Sequence, residues 1–551
     1  MFLSKSLNTL FPAIIFLALL SCTGNHEEPS QPRDRDTEKN APPAYGDVLI
    51  DSSIGDASNL IPMLSSDTAS HSIAGLVFNG LVKYDKDLNL VGALAESWDI
   101  SEDGLTITFH LRKEVKWQDG VEFTANDVIF GYKTIIDPNT RTAYAGDFLE
   151  VKKAIVLDRY TFRVSYDKPF APALGSWGNL VVLPEHLLKG KDINTSDLSR
   201  HPIGTGPYRF KKWRTGEKIE LVSNHDYFEG RPYINGYVSR IIPDPATTFL
   251  ELKAGGIDRM GLTPLQYKRQ TDTDKIKSAF NKYKYLAFGY TYLGYNLTNP
   301  KFRDKRIRQA ISYAINKQEI IDGVLLGLGK IATGPYKPGT WQYNPNVKKY
   351  PYDPEKAKRL LAEAGWKDND NDGILDKDGI PFKFTIITNQ GNAQRAQCAE
   401  IIQRRLEVVG IKVKIRTIEW AAFINDFIDE RKFEAVILGW SSGPEPDIYD
   451  IWHSSKTGTK ELNFISYKNK EVDELLLKGR HTFDQEERKI YYSKIQEILA
   501  EDQPYTFLFV PYAMPLIHKR FRGIKPAPIG IDYNFIKWYV PKAEHKYRIQ
   551  Q

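Results

Sequence analysis

The chain has 551 residues, of which 41% are hydrophobic, and this length and composition favour two large folded lobes over a single core. The apolar content excludes a chain that is disordered throughout. The 75 basic and 69 acidic residues leave a net charge of only +6, and the sequence has no long basic run or basic-aromatic motif, which argues against a nucleic-acid partner.

The N-terminus has the pattern of an export signal. Lys5 supplies positive charge, and Leu10–Leu20 is almost continuously apolar but too short to span a bilayer comfortably. We therefore expect residues 1–21 to be a signal peptide.

Cys22 directly follows this signal. The sequence from Leu19 to Cys22 resembles the bacterial lipobox, in which the cysteine is lipidated and becomes the first mature residue; a plain secretory signal with a chance cysteine is the alternative. Residues 22–44 are polar and predict a flexible tether. Lipidation would leave Cys398, on an apolar helix face, as a lone buried thiol. We expect an exported lipoprotein, periplasmic or at the cell surface, anchored through Cys22.

The first half of the folded body predicts a mixture of strands and helices. Thr124, followed three residues later by Asp127, predicts a capping box that begins a helix. Alternating or short apolar runs predict strands at Val48–Asp51, at Leu105–Leu111, as a pair within Ala154–Tyr166, and at Tyr208–Lys212.

In the second half, strands and helices alternate. Apolar residues with helical spacing run from Ile307 to Ile315, and Asp353-Pro354 predicts the cap and first position of a helix that Gly365 ends. Strands separated by helices favour a parallel α/β lobe. The further predicted strands are Phe382–Thr388, Ile411–Thr417 and Phe433–Leu438, and the further helices are Gln394–Val409, Trp420–Arg431 and Glu486–Leu499.

A long segment from Ala95 to Arg112, continued by Val115–Gly120 and Phe123–Val128, resembles the signature of the family 5 extracellular solute-binding proteins, the peptide, dipeptide and nickel binders of ABC importers. Within it, Trp98, Trp117 and Asp119 are expected to serve packing and turns. Three more segments resemble the family in its order along the chain: Ile203–Tyr208, Asp304–Ala310 and Asp353–Trp366.

The resemblance implies an α/β fold of the type II periplasmic-binding-protein class, with two lobes, a hinge and an extra subdomain in lobe I. Binding of a solute would close the lobes around it. The implied boundaries are lobe I at 45–288 with the subdomain at about 83–200, lobe II at 289–509, a C-terminal return to lobe I at 510–551, and hinge crossovers near 288 and 509.

The segment from Gly439 to Asp447 is the main candidate for a ligand-binding wall, because ligands of α/β lobes bind at the carboxyl ends of parallel strands. In peptide binders of the family, a tryptophan here lines the cleft and a nearby aspartate holds the peptide's amino group. Trp440 matches that tryptophan, with Ser441 and Ser442 beside it. The aspartate is not matched, since its place falls near Gly443; Glu445 or Asp447 would have to supply the carboxylate.

Three more residues resemble cleft residues of the family. Trp420, after Glu419, resembles a second cleft aromatic, and packing at a helix start is the alternative. Asn79 and Gly80 resemble a segment of lobe I that faces the cleft.

Two other motifs suggest chemistry of a different kind. The sequence from Gly439 to Gly443 also fits the G-x-S-x-G motif of serine hydrolases with Ser441 as nucleophile, but Pro444 and Pro446 argue against the helix that this motif requires. Oxygen-rich spacing of the kind found in calcium loops occurs at Asp368, Asp370, Asp372 and Asp376, with a solvated turn as the alternative.

The sequence therefore predicts the substrate-binding component of an ABC importer. It is expected to capture oligopeptides between its lobes, to act as a monomer without catalysis, to need no cofactor other than a structural calcium ion if the acidic loop binds one, and to deliver its ligand to permease subunits. A non-peptide solute, such as a nickel chelate, a sugar or an opine, is the alternative ligand on the same fold.

Overall fold

A computed structural model describes residues 42–179 and 182–547, and Pro43–Gln551 forms one compact unit. The predicted signal peptide, Cys22 and almost all of the tether lie outside the described residues. In chain order the described strands are β1 Gly46–Ser53, β2 Val82–Tyr84, β3 Leu90–Gly92, β4 Ala95–Ile100, β5 Thr106–Leu111, β6 Val151–Asp158, β7 Thr161–Tyr166, β8 Tyr208–Arg214, β9 Lys218–Ser223, β10 Ile234–Ile241, β11 Arg259–Gly261, β12 Phe280–Lys282, β13 Tyr285–Leu286, β14 Gly289–Tyr295, β15 Gly329–Ile331, β16 Asp376–Lys377, β17 Ile380–Pro381, β18 Lys383–Asn389, β19 Lys412–Ile418, β20 Ala435–Ser441, β21 Tyr505–Ala513 and β22 Pro515–His518.

Helices connect and cover these strands. The described α-helices are α1 Thr68–Val77, α2 Ala125–Ile135, α3 Ala145–Phe148, α4 Ala173–Asn179, α5 Glu185–Leu188, α6 Pro245–Ala254, α7 Asp274–Ala279, α8 Pro300–Arg303, α9 Lys305–Ala314, α10 Lys317–Gly323, α11 Pro354–Glu363, α12 Ala393–Glu407, α13 Trp420–Ala422, α14 Tyr449–Trp452, α15 Lys470–Arg480 and α16 Gln485–Asp502. π-helical segments occupy Gln266–Gln270 and Phe423–Ile428.

The strands form two groups of sheets, which correspond to the two lobes. Among the described residues, lobe I contains the sheets β1-β10-β9-β8, β4-β5-β7-β6 and β11-β22-β12. Lobe II contains a seven-stranded sheet in the order β13-β21-β14-β20-β18-β19, with β15 paired to β21. The chain passes between the groups at β12 and β13, and again at β21 and β22, which are separated by Met514 alone. The domain boundaries inferred from the sequence stay a prediction.

Local sequence signals account for several of these elements. The Asp127 carboxylate accepts the Thr124 N–H at 2.8 Å, so the capping box that begins α2 is confirmed. The Asp353 side chain accepts the Lys356 N–H at 2.8 Å, and Pro354 is the first residue of α11, as predicted. Gly365 follows α11 with a φ of +87°, a conformation that glycine adopts without steric cost.

The sheet of lobe II differs from the sequence prediction. β18 pairs in parallel with β19 and β20, but β14 pairs antiparallel with β20 and β21, so the sheet is mixed rather than parallel. β14 and β21 belong to segments on either side of the alternating strand–helix region. Their pairing depends on long-range contacts that local periodicity does not contain.

A continuous core of lobe II lies between this sheet and its helices. Cys398 on α12 is fully buried beside Ile402 and Ile437, and burial raises the pKa of its thiol to about 12. The buried thiol predicted from the sequence is confirmed. Such a group packs as a small apolar residue and has little thiolate at neutral pH.

Candidate functional site

A cleft between the two lobes consists of three connected hollows of about 330, 400 and 360 Å³. Tyr144 of lobe I lines all three, and the Trp440–Ser442 segment of lobe II lines two of them. Because the hollows share walls, they form one continuous space, which we call the cleft.

Tyr144 occupies the centre of the lobe I wall. Its hydroxyl donates to the Ser65 carbonyl oxygen at 3.1 Å and lies 3.2 Å from His71 Nε2. Burial raises the pKa of Tyr144 above its usual value, so the phenol stays protonated. No local pattern in the sequence points to this residue, because only the fold brings α1 and the residues before α3 together.

Trp440 and Ser441 lie at the end of β20, whereas the sequence had placed them in a loop after Leu438. β20 continues to Ser441 because its last residues pair with β14, from Tyr292 opposite Leu438 to Gly289 opposite Ser441. The Trp440 indole N–H donates to the Tyr505 hydroxyl at 3.3 Å. Trp440 therefore has a fixed orientation within the cleft wall.

Ser441 and Ser442 are exposed, and both line the cleft. The Ser442 N–H donates to the Phe288 carbonyl oxygen at 3.1 Å. This bond extends the contact between the strand end and the start of β14 by one residue. Ser441 and Ser442 thus present their hydroxyl groups to the cleft at a strand end that β14 holds in place.

Each of the two candidate acidic residues already has a cation as a partner. The Glu445 carboxylate accepts a hydrogen bond from Arg488, and Asp447 Oδ2 accepts one from Arg480 Nε at 2.9 Å. Burial raises the pKa of both carboxyl groups. In this arrangement the two acids stabilise arginines of lobe II, and their predicted contact with a ligand ammonium would have to compete with those pairs.

Trp420 contacts the opposite lobe. Its indole Nε1 lies 3.4 Å from Asp67 Oδ1, and its Cβ would be 2.6 Å from a Cβ placed on Gly55. A side chain at Gly55 would therefore collide with Trp420. Trp420 also lines the 400 Å³ hollow. Both roles considered for it from the sequence, packing at the start of a helix and lining the cleft, are therefore compatible with its position.

Asn79 and Gly80 line the 330 Å³ hollow. Asn79 Oδ1 accepts the Thr205 hydroxyl at 3.1 Å, and its Nδ2 donates to the Tyr227 hydroxyl at 3.3 Å. Gly80 packs directly on the Gly178 carbonyl oxygen, where a Cβ would not fit. Backbone packing thus explains the glycine, and the Asn79 side chain holds the segment in place.

Arg480 joins the lobes and was missed by sequence reasoning. This fully buried guanidinium pairs with Asp147 of lobe I and Asp447 of lobe II, and the Arg480 carbonyl oxygen accepts the Ala171 N–H at 2.7 Å. Its carbon Cζ lies 4.0 Å from the centre of the Tyr449 ring. Burial lowers the pKa of Arg480 to about 9. An arginine at a helix end is ordinary in sequence, and only the packing of lobe I on α15 reveals its role.

The G-x-S-x-G sequence does not form a nucleophile elbow. Ser441 belongs to a strand and does not have a positive φ, and a loop rather than a helix follows it. His453 Nδ1 lies 2.8 Å from the Ser455 hydroxyl, and within the described residues no histidine hydrogen bonds to Ser441. The strand and loop therefore lack the geometry that activates a serine.

The acidic loop before β16 is exposed. Oxygen atoms of Asp368, Asp370 and Asp372 lie within 4.8 Å of one another. Asp376, the fourth candidate, accepts the Asn369 N–H at 3.0 Å and the Asn369 side-chain amide at 2.7 Å. Since solvated turns make the same contacts, calcium binding here stays a prediction.

Comparison with known proteins places this architecture in a family. Residues 89–461 match the model of the middle region of the bacterial extracellular solute-binding proteins, family 5. The chain belongs to this family. Its members bind solutes outside the cytoplasm, and within the described residues of this one no helix has the length and apolar character needed to cross a membrane.

Two similar family 5 proteins have been solved with peptides. The chain is 35% identical over 547 residues to the oligopeptide-binding protein AppA of Bacillus subtilis (strain 168), covering 97% of this chain and 98% of AppA. The structure of AppA with a nonapeptide matches with a TM-score of 0.86 over 91% of this chain and all of AppA. DppA of Helicobacter pylori with the peptide STSA matches with a TM-score of 0.82, 31% identity and coverage of 91% and 99%.

A third similar structure holds a metal chelate. NikZ of Campylobacter jejuni in complex with Ni(L-His) matches with a TM-score of 0.81 and 30% identity, covering 89% of this chain and 99% of NikZ. The three structures confirm the two-lobed type II periplasmic-binding-protein fold predicted from the sequence. They also show that similar family 5 proteins bind different solutes.

Proposed function

We propose that this family 5 protein binds oligopeptides in the cleft and delivers them to the permease subunits of an ABC importer. The observation that carries this proposal is the size of the cleft: three adjoining hollows of about 330, 400 and 360 Å³ meet at Tyr144 and together offer more room than a compact solute needs. The peptide complexes of the similar proteins AppA and DppA support the same ligand class.

The end of β20 offers a backbone edge suited to such a ligand. From Leu438 to Ser441, one edge of β20 pairs with β14, and within the described residues no strand pairs with the other edge, because β18 pairs only with Ala435 and Val436. An extended peptide can hydrogen bond to an open strand edge through its own backbone. Recognition of this kind tolerates varied side chains, since the backbone groups are common to all peptides.

A nickel chelate is the second candidate ligand, favoured by the similarity to NikZ. Tryptophan fluorescence tests both candidates, because Trp420 and Trp440 line the cleft. Titration of the exported protein with peptides of two to nine residues is expected to change the fluorescence saturably at micromolar concentration, and titration with nickel and histidine is not. Saturable binding of the chelate alone would contradict the oligopeptide proposal.

We further propose that the protein is a monomeric, non-catalytic lipoprotein that is exported by residues 1–21 and lipidated at Cys22. The lipobox resemblance of the segment from Leu19 to Cys22 supports the anchor. In cells, the Cys22→Ser variant is expected to move from the membrane fraction to the soluble exported fraction. Retention of this variant in the membrane fraction would contradict the anchor.

A further inference from the structure

Aromatic and basic side chains meet on the surface of lobe I where the described residues begin. The ring of Tyr45, which is 53% exposed, stacks on the ring of Tyr233 with centroids 4.9 Å apart. The Arg231 guanidinium lies 4.6 Å from the centre of the Tyr45 ring. Tyr539 meets Tyr233 edge-on, with centroids 6.2 Å apart. Three aromatic rings and a cation are thus held together beside the N-terminal end of the folded body.

The C-terminal segment lies beside these residues and adds a second cation. A Cβ placed on Gly46 would be 2.3 Å from the His545 ring, and the Lys546 N–H donates to Asp47 Oδ2 at 3.2 Å, so the two ends of the body pack together. Lys542 is exposed in the helical turn that ends at His545. We call the following five residues the terminal patch: Tyr45, Arg231, Tyr233, Tyr539 and Lys542.

Neither cation of the terminal patch is neutralised by an acid. Arg231 donates to the Asn235 side-chain oxygen at 2.9 Å, an uncharged partner. Among residues 42–179 and 182–547, no carboxylate oxygen lies within 4 Å of the charged nitrogens of Arg231 or Lys542. Glu544, the acid nearest to Lys542 along the chain, pairs instead with Arg522 at 3.0 Å. The patch therefore keeps both positive charges available to an anionic surface.

The position of the terminal patch relates it to the proposed anchor rather than to the cleft. None of its five residues lines the three hollows. Only 22 residues separate Cys22 from Tyr45, a stretch that reaches at most roughly 80 Å. A lipid on Cys22 would keep the patch within this distance of a bilayer, and a weak contact is then favoured by the high local concentration.

The chemistry of the terminal patch suits such a bilayer. Tyrosine combines an apolar ring with a polar tip and is enriched where proteins meet the membrane–water interface. Basic side chains near a bilayer are attracted to anionic headgroups, and a lipid chain with a basic patch holds a protein more firmly than the chain alone.

We propose that the terminal patch binds the anionic lipid surface of the membrane that holds the anchor. This inference rests on the proposed lipidation of Cys22. It gives the body an orientation, in which lobe I contacts the bilayer and lobe II stays free to move when ligand enters the cleft.

The test measures vesicle binding by the chain that begins at Thr23, which contains the whole compact unit Pro43–Gln551 but no lipid. Co-sedimentation compares vesicles of phosphatidylcholine with vesicles of phosphatidylcholine and phosphatidylglycerol in equal parts. We expect about tenfold stronger binding to the anionic vesicles at low salt. The preference should disappear in about 0.5 M salt, where the Debye length is about 4 Å.

The double variant Arg231→Gln/Lys542→Gln removes both charges of the terminal patch, and its preference for anionic vesicles should fall to less than twofold. Lys414→Gln/Arg416→Gln is the matched control, because both residues are exposed on β19 of lobe II and the Arg416 guanidinium lies 4.8 Å from the Phe427 ring. This control changes the net charge equally and should keep the tenfold preference. Equal losses in the two double variants would overturn the proposal, since overall charge would explain the binding.

A fluorescent label locates the contact. Cys398 is buried, so a cysteine introduced by Ala543→Cys, at an exposed position beside Lys542, can be labelled alone with an environment-sensitive dye. Anionic vesicles should shift its emission to shorter wavelength. The same dye at Thr417→Cys, an exposed position on β19, should not respond. Equal shifts at the two positions would overturn the assigned surface.

Failure of the patch and failure of the anchor give different results. Equal binding of the unlipidated chain to both kinds of vesicle, or binding to neither, overturns the patch even if the variants do not fold, and leaves the anchor untouched. Fractionation of the Cys22→Ser variant in high salt, where the patch contact is screened, tests the anchor alone.

Discussion

The signature segment at 95–128 and the strand end at Leu438–Asp447 differ in what their sequences reveal. The first is conspicuous, and three of its aromatic side chains, Phe109, Trp117 and Phe123, are buried; Trp117 is only 2% exposed and packs on Phe123. The second is a short polar run, yet it borders two of the three hollows. The recognisable motif thus packs the core of lobe I, whereas the predicted ligand-binding wall is a short polar segment.

The largest expected effect separates these two roles. Trp117→Ala removes a fully buried indole from the lobe I core and is expected to lower the free energy of unfolding by about 3–5 kcal/mol. Urea unfolding would measure this loss. The fraction of Trp117→Ala that stays folded should bind peptide with an affinity within threefold of the wild-type protein. A larger loss of affinity would mean that the signature segment takes part in peptide binding.

Arg480→Met tests the contact between the lobes. Removing the guanidinium leaves Asp147 and Asp447 close together without a cation, a change that costs about 3 kcal/mol when the acids stay buried. Opening of the lobes would hydrate both acids, so we expect a larger radius of gyration by X-ray scattering and weaker peptide binding. The double variant with Asp147→Asn should recover part of the closure; equal compactness of the Arg480→Met variant and the wild-type protein would contradict this role.

Trp440→Ala tests the strand end. Because Trp440 is only partly buried, we expect a small loss of stability but at least a tenfold loss of peptide affinity, measured by calorimetry. The matched control is Trp98→Ala, which alters a partly buried tryptophan of the signature segment. If Trp440→Ala and Trp98→Ala bound peptide with equal affinity, the strand end would have no special role in peptide binding.

Asp429, near the 400 Å³ hollow, gives a pH-dependent prediction. Burial raises the pKa of its carboxyl to about 6, and Glu430 and Asp67 add to the shift while Lys460 and Arg431 oppose it. Since the folded state holds this proton more tightly than the unfolded chain, the penalty for its charge is small near pH 4, grows between pH 4 and pH 6, and is complete above about pH 6. Asp429→Asn should therefore stabilise the protein by about 1 kcal/mol at pH 7, after allowance for solvent screening, and by much less at pH 4.

Urea unfolding at both pH values would check this effect. Asp426→Asn alters an exposed carboxylate of the same segment and serves as the control, with no expected change at either pH. Stabilisation by Asp429→Asn at pH 4 as large as at pH 7 would contradict the assigned titration.

The smallest expected effect concerns the acidic loop. A solvated turn at Asp368–Asp372 predicts that calcium shifts the melting temperature by less than about 1 °C. A rise of several degrees that Asp370→Asn abolishes would instead indicate a calcium site that stiffens the loop.

Sequence reasoning was most reliable where local rules apply. The capping box at Thr124, the helix that begins at Pro354 and the buried thiol of Cys398 depend on neighbours within a few residues, and the structure confirms all three. The resemblance to the family supplied the two-lobed fold, because the matching segments extend over most of the chain.

Long-range pairing explains what the sequence could not give. β14 extends β20 to Ser441, so Trp440 lies in a strand, and it also makes the sheet mixed. Arg480 acquires its role from Asp147, which is 333 residues away along the chain.

The most direct test of the central claim is native mass spectrometry of the protein purified after export, before and after mild unfolding. Our account predicts release of a mixed set of short peptides, because the open edge of β20 in the cleft recognises backbone groups common to all of them. Release of one defined non-peptide solute, such as a nickel chelate, would leave the family and fold intact but contradict the oligopeptide function.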